Sequence, residues 1–389
     1  MREDPSGHVA VVGAGVIGLA VAWRAAQRGL RVTVVAPDRT PGTASDVAAG
    51  MLTPATEAAF GEEPLMRLGA LSRDRYPAFA AELEAETGLP SGLRTAGTLQ
   101  VAFDADDLAR LAETRDLLDR LGLATERLTG RACRELEPML APGVRGGFLA
   151  PDDHAVDPRL LTAALRAALR GRGVRTVREP AAAVLTADGR VRGVRTASGA
   201  DVPADRVVLA AGVWTSGIGG LPGGVVPPLR PVKGQVLRLL LPDGEPPLIT
   251  RTVRGLVRGT PVYLVPRDGR EVVLGATQEE MGADLRPTAG GMWELLRDAH
   301  ALVPGVSELE VAETRVGLRP GSPDNEPLLG PTAVPGLHLA AGHFRHGVLL
   351  TPATADALAD ALTGGALPDY ARRFSADRGS DGSEAPQWT

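Results

Sequence analysis

Cysteine and lysine occur once each in this 389-residue chain, as Cys133 and Lys233, and tyrosine three times. A lone thiol excludes an intrachain disulfide framework and fits a reducing compartment. Almost every basic residue is arginine, which reads as a bias of genomic composition. Blocks of one charge sign are missing too. The net charge is −5, with acidic and basic residues interspersed, so nothing points to a nucleic-acid or membrane-surface partner. No stretch is apolar for long enough to span a bilayer, and no repeat or low-complexity tract stands out. Met1-Arg2-Glu3-Asp4 is not a basic leader, so the apolar run that follows is not expected to be a signal peptide, and a cytoplasmic location is. The 44% hydrophobic and 23% charged contents are those of a globular protein, and the length exceeds one comfortable core, so two domains are expected.

What the chain does have is concentrated between Val9 and Ala36. An apolar run without alternation reads as a buried parallel strand and stops at Gly13-Ala14-Gly15-Val16-Ile17-Gly18. A helical stretch, Gly29 and a second β-branched run, Val32 to Val35, complete a βαβ unit. Each glycine has a mechanical job. Gly13 makes the tight turn, Gly15 lets a pyrophosphate approach the backbone, and Gly18 lets the helix pack on the strand. The pyrophosphate would sit at the helix N-terminus, where unpaired N–H groups and the dipole favour negative charge. One element departs from the pattern. The acidic residue that should close the second strand is replaced by Ala36 and Pro37, and Asp38 comes two residues late. This unit alone does not decide between FAD and NAD.

Beyond it, residues 41–51 are rich in small side chains, which lets a backbone lie flat against a planar ligand. Leu65 to Gly88 and Asp104 to Gly122 are amphipathic helical patterns, and Leu99 to Phe103 alternates like a half-buried strand. Asp157-Pro158 is a helix start, with aspartate as N-cap and proline at the first position. Val191 to Thr196 follows the Asp188-Gly189 turn as a hairpin strand. Residues 206–212 and 337–342 are two more buried strands ending in glycine, so the chain returns to the nucleotide domain twice. Between them, from Leu229 to Glu313, strand-like segments are separated by Pro/Gly turns, the pattern of a mainly antiparallel second domain. The polar stretch from Ser375 is expected to be disordered.

The stretches GAGVIG (13–18), AAGML (48–52), VVLAAGVW (207–214), PVKGQ (231–235), VYLVPR (262–267), GLRPGSPDNEPLLG (317–330) and GHFRHGVLLTPAT (342–354) occur in an order that resembles the D-amino-acid oxidase superfamily of FAD-dependent oxidoreductases. Within it they are most similar to the glycine oxidases of the thiamine pathway. The resemblance implies an α/β fold with a Rossmann-like FAD-binding domain visited three times (8–92, 151–226 and 315–374). It also implies a mainly antiparallel substrate domain (93–150 and 227–314), with 375–389 as a tail.

It implies non-covalent FAD held by Gly13, Gly15, Val16, Ile17, Gly18, Asp38, Ala44, Ser45, Ala49, Gly50, Met51, Ala182, Gly212, Trp214 and the run His343, Phe344, Arg345, His346, Gly347, Val348 and Leu349. Arg319 matches the family's carboxylate-binding arginine, whose fork suits two parallel hydrogen bonds, and Tyr263 matches the second carboxylate ligand. Arg345 is placed with them, because an arginine inside a cofactor-lining loop needs an anion. Gln278 and Met281 are candidates for setting pocket volume. The His343 side chain reads as structural, Lys233 as a strand cap or salt bridge, and Cys133 as remote from the flavin. Asp152, Asp153, His154 and Asp157 read as a turn and helix cap, not a metal site. The implied activity is oxidative deamination of glycine or a similarly small amine, with hydride passing to flavin N5 and O2 reoxidation giving hydrogen peroxide, for the thiazole branch of thiamine biosynthesis. A homo-oligomer, tetramer or dimer, is implied as well. A dehydrogenase of the same fold using another acceptor, and a non-catalytic FAD-binding subunit, stay open at this level.

Overall fold

The computed structural model describes residues 7–268 and 270–378. The Met1–Asp4 segment and residues 379–389 of the expected tail lie outside the described residues.

The first sheet has six strands in the order 328–331, 337–341, 206–209, 8–12, 31–35 and 175–177. All neighbours are parallel except the edge pair 328–331 and 337–341. The central strand His8–Val12 is β-branched and buried from Val9 on, because both faces are covered. On one face the helix Val16–Gln27 packs against the helices Pro158–Gly171 and Thr351–Leu362, and Glu63–Thr87 packs on the latter two. There Trp23 meets Phe79 edge to face, ring centroids 5.1 Å apart. A three-stranded antiparallel sheet (181–187, 190–196 and 201–203) covers the other face, burying Val184, Val191, Val194 and Val202 against Ala10, Val12 and Val207. Its hairpin turns at Asp188 and Gly189, both at positive φ as a two-residue turn requires. Asp157 caps the helix Pro158–Gly171 by accepting from the N–H groups of Arg159 and Leu160.

The second sheet has eight strands in the order 310–321, 230–240, 271–275, 260–266, 252–257, 98–102, 146–150 and 126–129. Every pairing is antiparallel except 252–257 with 98–102. Lys233 is fully buried here. Its ammonium donates to Asp284 at 2.8 Å and to the Arg286 carbonyl at 2.8 Å, and lies 3.5 Å from Glu279. The Asp284 hydrogen bond holds its pKa above the usual lysine value.

Three expectations change. Strand Thr98–Ala102 is buried at every residue, because both its faces are covered: Leu99 and Val101 pack in one core cluster with Val253 and Leu264, and Ala102 in another with Leu111, Leu118 and Phe148. Strand Glu310–Gly321 belongs to the second sheet along its whole length, so the expected boundary at 315 cuts an element that pairs from Glu310 to Gly321 with Arg230–Leu240. Residues 375–378 are not disordered: Ala376 is buried, Ser375 bridges Leu329, and Arg378 binds Asp324 at 2.9 Å.

The segment that follows strand 31–35 meets the second sheet along a seam. Thr43 forms a bridge with Leu318, and the Leu318 N–H donates to the Gly42 carbonyl at 3.0 Å. Val47 packs on Gly317, where a Cβ would stand 2.9 Å from it. Farther along the strand, Arg159 pairs with Glu313 at 2.8 Å, which holds the Glu313 carboxyl down at about 2.

Candidate active site

One cavity of about 1130 Å³ runs between the sheets, larger than the roughly 300–1,000 Å³ of pockets for drug-sized ligands. Its first end is the glycine turn. Gly13 sits at φ +111, and a Cβ there would overlap the Ala210 carbonyl. Gly15, Val16 and Ile17 border the cavity with Gly13. Ser45 reaches across and accepts the Val16 N–H at 2.9 Å, tying the small-residue stretch to the helix start. Gly18 does not border the cavity. A Cβ there would overlap the Gly13 carbonyl, so it closes the helix onto the turn. Asp38 borders the cavity but is largely exposed and pairs with Arg178 at 3.4 Å.

Ala44, Ser45, Ala49, Gly50, Met51, Gly212 and Trp214 all border the middle of the cavity, as do His343, Phe344, Arg345, Gly347 and Val348. Arg267 donates to the Ala49 carbonyl and so pins that wall; burial pulls its pKa down to about 10. Besides Gly18, three expected cofactor residues stand off the cavity. Ala182 is exposed on its strand, and its neighbours Pro180 and Ala181 border the cavity instead, a slip of register. His346 lies behind the loop and accepts from Arg345 Nε at 3.0 Å. Leu349 is turned into the core beside Gly69, with its carbonyl accepting from Ser72. His343 is buried and bonded to Thr354 Oγ1 at 3.1 Å, and burial pushes its pKa down to about 3, so it is neutral. The anion that Arg345 requires is present as Glu62, 2.6 Å away.

The far end is one face of the eight-stranded sheet. Register places Gly275, Tyr263, Arg254, Gln100 and Phe148 as successive cross-strand partners, hence on one face. Tyr263 lies across Gly275, where a Cβ would overlap the phenol oxygen. Burial raises the Tyr263 pKa against the opposing charge of Arg319, so the hydroxyl keeps its proton. Arg319, on the same face, lies across Gly234; a Cβ at 234 would stand 2.5 Å from Nη1 and 2.6 Å from Nη2. Its Nη1 donates to the carbonyls of Thr277 (3.1 Å) and Lys233 (3.4 Å), and among the described residues no carboxylate pairs with it. Arg315 instead pairs with Glu313 at 2.8 Å and is exposed. Gln278 borders the cavity, whereas Met281 is 57% exposed and does not.

Arg254, Gln100 and Glu57 border this end and were not anticipated. Arg254 had a signal: Arg258 and Gly259 form a two-residue turn, and counting back from Tyr263 across it lands on Arg254. Glu57 had none. Asp153 is buried and accepts from the Ala55 and Thr56 N–H groups at 3.1 and 2.7 Å, fixing the turn that carries Glu57; burial pushes its pKa up to about 6.

A glycine turn at a helix start, joined by one cavity to a charged sheet face, defines a dinucleotide-binding protein with a second, small-molecule site. The family model described as FAD dependent oxidoreductase matches residues 8–361. The chain belongs to this family, and its cofactor is FAD. It is 36% identical over 360 residues to the "Putative thiamine biosynthesis oxidoreductase ThiO" of Rhizobium etli, covering 91% of this chain and 96% of that protein. It is 34% identical over 359 residues to the "Bifunctional protein ThiO/ThiG" of Trichormus variabilis, covering 90% of this chain but 52% of that protein. The chain therefore spans about half the length of such bifunctional relatives. Among solved structures it is similar to the glycine oxidase of Geobacillus kaustophilus, with TM-score 0.87, 31% identity, and 96% and 99% of the two chains covered. The residues fit FAD on this structure's own evidence. The Gly13 cradle is closed to side chains, and the Ala44–Met51 and Phe344–Val348 walls offer small residues and backbone to a planar group. Among the described residues no helix is long and apolar enough to cross a membrane.

Proposed function

We propose that the chain oxidises glycine and similarly small amino acids or amines such as sarcosine or D-alanine, yielding an imine that hydrolyses to glyoxylate or its equivalent. The observation that carries this reading is the pair Tyr263 and Arg319. Both lie on one sheet face over glycines, both border the cavity that begins at the Gly13 turn, and among the described residues the arginine has no carboxylate partner. A guanidinium with free N–H groups and a neutral phenol suit one carboxylate. The names of the relatives, glycine oxidase and thiamine biosynthesis oxidoreductase, support the same substrate and a role in the thiazole branch of thiamine biosynthesis.

When bound, FAD supplies the hydride acceptor and passes the electrons to dioxygen, releasing hydrogen peroxide. Arg319 and Tyr263 fix the carboxylate, and with it the α-carbon. Arg345, held by Glu62, stiffens the Phe344–Val348 loop as half of a neutral ion pair. Backbone N–H groups of this loop are the donors proposed for the developing negative charge. The flavin is proposed to be non-covalent; a cysteinyl link is excluded by Cys133, which is buried in the helix Gly130–Leu136, away from the cavity, with its thiol pushed up to about 11 by burial. Cytoplasmic location and a homo-oligomer, dimer or tetramer, complete the proposal.

The deciding experiment is the visible spectrum of the purified protein, without oxygen, before and after glycine. Bleaching that reverses in air with release of peroxide is the expected result. Bleaching reversed only by an artificial acceptor would make it a dehydrogenase, and a spectrum unmoved by any small amino acid would refute the reading.

A further inference from the structure

Arg319 and Tyr263 account for a substrate's carboxylate and leave its ammonium group without a partner. We infer that Glu57 is the residue that binds the amino group, so that the site recognises the zwitterion at both ends; this rests on the oxidase reading above. Among the described residues three acidic side chains border the cavity: Asp38, Asp46 and Glu57. Asp38 stands just past Ala36 at the nucleotide end, and Asp46 is exposed on the short helix Ala44–Val47. Glu57 alone lies at the sheet end, with its side chain 14% exposed. It is close enough to Tyr263 for its charge to act on the phenol.

The carboxylate is positioned from several sides. The Glu57 N–H donates to the Thr53 carbonyl at 3.1 Å, and Asp153 fixes the intervening Ala55 and Thr56. Oε1 takes one N–H of Arg254 at 2.9 Å, and Oε2 accepts from Thr53 Oγ1 at 3.2 Å. His346 Nδ1 is 4.0 Å from Oε2, too far for a hydrogen bond. An ionised carboxylate accepts about four hydrogen bonds, so capacity for further donors remains. Burial, the largest single influence, would raise the Glu57 pKa, but the charges of Arg254, His346 and Arg345 and the Arg254 hydrogen bond together keep the group below the usual carboxylate value, so it is an anion at neutral pH. Arg254 takes one oxygen of Glu57 and leaves the other facing a donor of the substrate. A zwitterion lying between Arg319 and Glu57 meets a group of opposite charge at each end, whereas a plain carboxylate meets one only at Arg319.

The test compares ligands that differ by the amino group. 2-Aminoisobutyrate has no hydrogen on its α-carbon and cannot be oxidised, and isobutyrate has the same carbon skeleton without nitrogen. Glycine KM and acetate Kd form a second, smaller pair. Dissociation constants are read from the shift of the flavin spectrum in the holoenzyme. Glu57→Gln is expected to weaken the amino ligand about ten- to hundredfold, with the plain carboxylate unchanged or tighter, and Glu57→Asp to recover part of the preference. Parallel loss of both members of a pair, or a Glu57→Gln protein that keeps the wild-type preference, overturns the assignment. A wild-type protein that binds these ligands but is not bleached by glycine overturns the oxidase reading and leaves this comparison standing. One that binds neither member of either pair overturns both.

Discussion

A single methyl group added at position 234 tests the substrate clamp without touching either of its members. In Gly234→Ala the new Cβ would stand 2.5, 2.6 and 2.7 Å from Nη1, Nη2 and Cζ of Arg319. Those atoms end a flexible side chain, so the guanidinium moves and the backbone stays. The φ of Gly234 lies outside the left-handed region, so alanine is sterically allowed there. Losing glycine's freedom in the unfolded chain even favours the fold by about 0.4–1 kcal/mol. The carboxylate, by contrast, loses a fork of charge-assisted bonds at about 1.5–3 kcal/mol each. Two such bonds correspond to a fall of about a hundredfold to ten-thousandfold in kcat/KM, an upper limit if the arginine partly re-forms them. Three measurements decide: kcat/KM for glycine, flavin absorbance per protein, and the thermal unfolding midpoint. The expected result is a large fall in the first with the other two held. Gly234→Ala added to Arg319→Ala should then cost nothing more, since both act through one group. Activity within threefold of wild type, or a loss of flavin and stability in proportion to the loss of activity, would refute the placement of Arg319.

Gly18→Ala drives a Cβ into the Gly13 carbonyl, so the purified protein is expected to carry less flavin and to bind added FAD at least about tenfold more weakly. Undiminished flavin content would remove Gly18 from the cradle. Asp153, with its pKa raised by burial to about 6, binds its proton more tightly folded than unfolded. Stability from this group is therefore greatest below about pH 4 and falls by about 2–3 kcal/mol as pH rises past 6. Asp153→Asn should flatten that part of the stability–pH curve measured by denaturant unfolding, and an unchanged slope would assign it to other groups.

The nucleotide half was legible because its signals are local. A strand that is β-branched and buried on both faces, then glycine, then helix, is set by neighbours within a few residues, as is the Asp157-Pro158 cap. Tyr263 and Arg319 were legible through their motifs. Glu57 was not, because it acquires meaning only when the Thr53–Glu57 turn, held by the distant Asp153, comes to face Arg254. The home of strand Glu310–Gly321 was also hidden: its partner Arg230–Leu240 is about eighty residues earlier, and alternation is the same whichever sheet a strand joins. Ala182 shows the cost of a small error, since one step along a strand reverses the face.

The seam at Thr43–Leu318 has a thermodynamic meaning. The stretch Thr43–Met51, which walls the flavin's part of the cavity, is tied by backbone hydrogen bonding at Gly42–Leu318 to the strand that holds Arg319. Ordering one side orders the other. Whatever factor an occupied clamp adds to flavin affinity, bound flavin adds to substrate affinity, because the coupling free energy between two sites is a single number. A carboxylate ligand should therefore slow flavin release, and the flavin-free protein should capture substrate poorly. Mutual tightening of cofactor and substrate is then a property of one hydrogen-bonded seam.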